Sequence, residues 1–241
     1  MTATALGLSI IVHGPSKAGK SRFAATAPSP RLILDAESGS RFVPGRKVGW
    51  DPRTQAPPTS DGTWDTCLVP VHDYDTITAA LHWLQSGQHP FNSVVIDSVS
   101  EVQQRAMDSI VGIDPMKIQD WGTLLRMVSD TVRKFRDLVS HPTHPLYAVV
   151  YIAMTTQRDG KWRPLVQGQL RDFLPYYCDV CAYLFVNPPT NGHWPGNRLL
   201  VVPHPEYETG ERVGGLFGQV IDNPDISQMV MTVYNALNGG A

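Results

Sequence analysis

The eight residues GPSKAGKS, Gly14 to Ser21, constrain this 241-residue chain more than any other stretch. They fit G-x-x-x-x-G-K-[ST], a loop whose successive backbone N–H groups wrap phosphate oxygens. Such a loop needs a strand before it and a helix after it, and both are legible. Leu8–His13 (LSIIVH) is a short apolar, β-branched run, and Lys20–Ala27 is rich in helix formers before Pro28. Gly14 and Gly19 permit the tight backbone, and Pro15, Ser16, Lys17 and Ala18 complete the cradle. Lys20 is expected to reach the β/γ-phosphate oxygens of ATP, and the Ser21 hydroxyl to hold Mg²⁺.

The rest of the chain continues as alternating strands and helices. Arg31–Glu37 (RLILDAE), Thr66–Val71, Ser93–Ser98 (SVVIDS) and Leu146–Met154 read as strands. Asp73–Leu84 and Trp121–Leu138 read as amphipathic helices. In the second, Leu124, Leu125, Val128, Val132, Phe135 and Leu138 recur at helical spacing. Trp83 and Trp121 fall on these apolar patterns and are expected in the core. Pro44–Asp65 is rich in Pro, Gly, Ser and Thr and reads as a long surface loop. Later, shorter pieces, Cys181–Val186 and Arg198–Pro203, suggest antiparallel additions at one edge. Asn223-Pro224-Asp225 reads as an N-cap, an N1 proline and an acidic first turn. Strand–helix alternation predicts an α/β fold with a mostly parallel central sheet, in one domain over residues 1–241.

A hydrophobic content of 42% and a charged content of 17% describe an ordinary globular chain with no membrane partner. No apolar run approaches the roughly 20 residues that span a bilayer. The three cysteines cannot all pair, and the first residues lack a signal-peptide pattern, so a cytoplasmic setting is expected. A net charge of -2 excludes a protein whose whole surface coats polyanions, so any nucleic-acid site must be a local patch.

Two carboxylates sharpen the nucleotide site. Asp97 ends an apolar strand (SVVID), where it can serve Mg²⁺ or cap the next helix, or do both. Glu37 ends the strand after the phosphate-loop helix, on the same rim of a parallel sheet. A carboxylate there can take a proton from water attacking a γ-phosphate, or simply begin a polar loop. The segment Gln157–Asp172 carries Arg158, Lys161, Arg163 and Arg171 around Trp162. Cations track phosphates and an aromatic ring stacks a base, so the segment suits single-stranded DNA. The alternative is a β-hairpin with Trp162 packed on the sheet and its charges solvated. Arg126, Arg133, Lys134 and Arg136 read as a solvated helix face.

GPSKAGKS, LILDAE and VVIDSVSEV, in that order, resemble the RecA-type P-loop NTPase core. With QDWG (Gln119–Gly122), Arg163–Leu184 and Arg198–Leu216, the chain is similar to the phage RecA-like AAA ATPases, which include single-strand annealing and recombination proteins. The resemblance implies that Lys20 and Ser21 hold phosphate and metal, that Asp97 supports the metal, and that Glu37 is the base for hydrolysis. It implies a polar γ-phosphate sensor at the end of the Leu146–Met154 strand. Thr155, Thr156 and Gln157 all qualify, with Thr156 and Gln157 favoured. Relatives carry a lysine two positions before an arginine that reaches a neighbour's ATP. Here Gly210 occupies the first position and Arg212 remains. The resemblance also implies a homo-oligomer, single-stranded DNA as substrate, a single-stranded-DNA-binding protein as a further partner, and a phage origin in a bacterial host.

Cys178 and Cys181 supply half of a tetrahedral zinc site at most, and His193 and His204 are not at finger spacing. The His141–Pro145 run (HPTHP) reads as a helix-ending turn rather than a metal tract.

Overall fold

A computed structural model describes residues 7–187 and 196–238, so His193 lies outside the described residues. The chain runs through β1 (Leu8–His13), α1 (Lys20–Ala24), β2 (Arg31–Asp35), β3 (Lys47–Gly49), β4 (Thr66–Pro70), α2 (Tyr74–Ser86) and β5 (Ser93–Asp97). It continues with α3 (Val99–Val111), α4 (Ile118–Asp137), β6 (Ala148–Ala153), β7 (Thr155–Arg158), β8 (Lys161–Pro164) and α5 (Leu170–Tyr177). The last elements are β9 (Val180–Val186), β10 (Asn197–Leu200), β11 (Gly210–Glu211), β12 (Val220–Asp222) and α6 (Ile226–Asn238).

The central sheet has the order β12-β10-β9-β1-β6-β5-β2-β4-β3, with β11 also on β9. From β9 to β3 every neighbouring pair is parallel, while β10, β11 and β12 are antiparallel. The mixed α/β fold with a mostly parallel sheet is therefore as expected.

Apolar strands buried on both faces explain the sheet's position. Ile10 and Val12 pack on one side with Phe23 of α1 and Ile226, Met229 and Val233 of α6. Ile11 packs on the other, with Leu81 of α2, Val102 of α3, Val128 and Phe135 of α4 and Leu174 of α5. Alternation along β1 thus feeds two helical layers, as a sheet of this class requires.

Register sets the functional rim. His13 lies beside Ala153, Asp97 beside Ile152, and Asp35 beside Asp97. The ends of β1, β2, β5 and β6 therefore meet on one edge, where parallel strands hand over to loops and helix starts.

Several expectations need correction. The Pro44–Asp65 stretch is not a plain surface loop. It contributes β3 to the sheet edge and buries Trp50 and Trp64 in the core beside Phe91. Each indole N–H finds a carbonyl within the stretch, Gln55 for Trp50 and Thr59 for Trp64, which removes the cost of burying it. Trp121 is half-exposed along a groove with Gln103 and Gly168 instead of under the sheet, whereas Trp83 packs against the core. β2 stops at Asp35 because that carboxylate accepts from the N–H groups of Gly39 and Ser40 and turns the chain. The cap of α6 is Asp225, which accepts from Gln228 N at 2.9 Å, and not Asn223. The Gln157–Asp172 segment is the β7–β8 hairpin followed by the start of α5, so the hairpin reading of its backbone holds.

Candidate nucleotide site

The phosphate loop is built by two left-handed positions, Lys17 (φ 63°) and Gly19 (φ 90°), which turn successive N–H groups inward. Gly14 is required by proximity: a Cβ there would lie 2.3 Å from the carbonyl oxygen of Leu184 in β9. The Lys20 ammonium donates to the carbonyls of Gly14 and Pro15, at 2.9 Å each, and so lies across the mouth of the loop. Burial pushes the Lys20 pKa down, while Glu37 and Asp97 hold it up.

Ser21 Oγ donates to Asp97 Oδ2 at 2.6 Å. Asp97 is 2% exposed, and burial drives its pKa up to about 6, with the Glu37 and Asp35 carboxylates adding to the rise. A buried carboxylate paired with a hydroxyl is an all-oxygen donor set for a hard divalent cation. These residues fit Mg²⁺. Asp97 does not cap α3; the neighbouring Ser98 does, accepting from Glu101 N.

Glu37 is exposed on the same cleft, and its Oε1 accepts a hydrogen bond from Ser98 Oγ. Ser98 thus caps α3 and steers the carboxylate, a role the sequence reading missed, although the VVIDS motif contains it. The cleft encloses about 580 Å³ and is lined by Gly14, Ser16, Lys17, Gly19, Lys20, Ser21, Glu37 and Asp97. It also includes Phe42 and Thr155. Phe42 is 77% exposed with the Arg41 guanidinium 4.7 Å above its ring, an open aromatic surface that nothing in the local sequence announces.

The sensor expectation needs correction. Thr155, not Thr156 or Gln157, lines the cleft. The chain leaves the central sheet after Ala153, and the hairpin then pairs Thr155 with Pro164, Thr156 with Arg163 and Gln157 with Trp162, so only its first residue lines the cleft. Arg212 is also not at this cleft. β11 carries it toward the start of β9, where it donates to the Tyr176 carbonyl at 2.7 Å and faces Asp179. The Asp179 backbone N–H in turn donates to Ser9 O, at the end of the sheet away from His13.

The expected DNA-contacting cations are brought together in part, and each has a carboxylate beside it. Lys161 and Arg163 both face Glu208, at 3.5 and 3.7 Å. Arg158 faces Asp159 and Arg171 faces Asp172. Trp162 is half-buried, with its backbone bonded to Glu206 and Glu208. Cys178 and Cys181 are buried free thiols, and no cluster of three metal-ligating side chains occurs among the described residues. No helix among them is long and apolar enough to cross a membrane.

A glycine loop between β1 and α1, a serine–aspartate pair and a carboxylate on the adjacent strand end define a P-loop nucleotide site. The AAA_24 family model, described as an AAA domain, matches residues 6–213, so the chain belongs to that family of AAA-type P-loop ATPases. No curated protein matches it. Among solved structures it is similar to one described as a prototypical ATPase from the type III secretion system of pathogenic bacteria. Identity is 15% and the TM-score 0.44, over 74% of this chain and 52% of that one. The chain thus spans about half the length of that protein, and a likeness this low carries no weight for function.

Proposed function

We propose that the protein binds Mg·ATP in this cleft and hydrolyses it, and that it acts as a homo-oligomer on single-stranded DNA in annealing or recombination. The observation that carries the hydrolytic part is Glu37, held by Ser98 in the cleft that Lys20 also lines and exposed to water. In the step, the oxygen of water bonds to the γ-phosphorus while Glu37 takes one of its protons. The bond from the γ-phosphorus to the bridging oxygen breaks, and its electron pair leaves with ADP. Bound Mg²⁺, held by Ser21 and Asp97, would offset phosphate charge. Lys20 exchanges its carbonyl partners for phosphate oxygens. The exposed Phe42 ring offers a stacking surface for the base.

The DNA part is supported by continuity. The strand that lines the cleft at Thr155 runs directly into the hairpin that bears Arg158, Lys161 and Arg163. Glu208 already faces two of those cations, so strand phosphates must compete with it. That same pairing favours a second reading, a nucleotide-gated switch that engages a protein partner. Annealing of complementary oligonucleotides at low salt, with and without Mg·ATP, separates the two. ATP-dependent strand binding supports the DNA reading; turnover with no binding leaves the switch.

A further inference from the structure

His13 is fully buried beneath the phosphate loop, one residue before Gly14, and makes two hydrogen bonds through its ring. Nε2 lies 2.9 Å from the Glu208 carbonyl oxygen, which can only accept, so Nε2 carries the ring hydrogen. Burial holds the imidazole neutral, with its pKa down at about 4. Nδ1 therefore carries a lone pair, and the hydroxyl of Thr155, 3.1 Å away, can donate to it. The other acceptor within reach of that hydroxyl is the Arg163 carbonyl, at 3.2 Å. Both acceptors belong to the protein, and a hydroxyl has one hydrogen to give. Whichever takes it, the hydroxyl hydrogen stays within the protein, and Thr155 itself lines the cleft.

We propose that His13 is a positioning residue that commits the Thr155 proton inward, so that Thr155 orients the attacking water rather than gripping the terminal phosphate. The inference rests on the hydrolytic reading above. Lone pairs repel phosphate oxygens and accept from water. Thr155 receives the O–H that water keeps while Glu37 takes the other proton. Rotating the hydroxyl to donate to phosphate would strand Nδ1 in the core, the costly outcome for a buried polar atom.

The test compares wild type, Thr155→Val, Thr155→Ser, His13→Gln and the His13→Gln/Thr155→Val pair in steady-state Mg·ATP kinetics, with ATP and ADP affinities measured separately. Thr155→Val is isosteric and half-buried, so it is the informative variant if His13→Gln folds poorly. It should lower kcat about 10- to 100-fold while ATP affinity changes less than about threefold. Thr155→Ser should stay within about threefold of wild type, since it keeps the hydroxyl. The double variant should be no slower than Thr155→Val alone. A loss of ATP affinity relative to ADP in Thr155→Val would make Thr155 a phosphate donor and overturn the inference, as would an unchanged kcat. A wild type without ATP turnover sinks the hydrolytic reading first, and this inference with it.

Discussion

Acid should destabilise this protein through His13 as the pH falls below about 6.5. The imidazole is fully buried and its pKa is depressed from 6.5 to about 4, chiefly by desolvation, with the nearby Lys20 charge adding to the fall. A depressed pKa means the unfolded chain binds the proton first. Stability from this group is complete above pH 6.5 and is lost as pH falls toward 4. Between pH 7.5 and 5 the loss works out at about 2 kcal/mol, and the full shift corresponds to about 3 kcal/mol by pH 4. Urea unfolding of wild type and His13→Gln across that range reads the term as a difference of slopes. Gln costs stability at every pH through its poorer fit, but it cannot titrate. His89, held down to about 4 by burial, contributes the same acid sensitivity to both proteins and cancels. Wild type should approach the variant by about 2 kcal/mol as pH drops. Parallel curves, agreeing within about 0.5 kcal/mol, would refute a neutral buried His13.

Lys20→Ala should abolish ATP binding measured by calorimetry, whereas Glu37→Gln should keep binding and lose turnover; equal loss of binding in both would sink the base assignment. Asp97→Asn should bind ATP no tighter with Mg²⁺ than with a chelator, against a gain of about tenfold or more in wild type, roughly 1.4 kcal/mol. An undiminished Mg²⁺ effect in the variant would place the metal elsewhere. Glu208→Gln frees Lys161 and Arg163, so its single-stranded DNA affinity should rise and its salt slope steepen by about 1.4, from two further phosphate contacts. Fluorescence anisotropy over a salt series checks this, and an unchanged slope would remove the hairpin from the DNA path.

What could be read in the sequence was local. A phosphate loop is made by consecutive backbone N–H groups, so Gly14 to Ser21 carry their meaning in one contiguous string, and the flanking strand and helix are confirmed within a few residues. Asp97 and Glu37 were legible because apolar strands ending in carboxylates must end on one rim of a parallel sheet.

The tertiary structure decided whatever depended on partners distant in sequence. Thr155 takes the cleft instead of Thr156 or Gln157 because the chain leaves the sheet after Ala153 into a hairpin of which only the first residue lines the cleft. Trp50 and Trp64 are core because the surrounding loop supplies carbonyls for their N–H groups. Lys161 and Arg163 look like free cations in the chain, yet Glu208 reaches both from a later segment. His13 reads as the end of an apolar strand until Thr155 and Glu208 close on its two nitrogens. The phosphate grip is a property of consecutive backbone. Which side chains face water, nucleotide or one another is set by contacts that form only when the sheet closes.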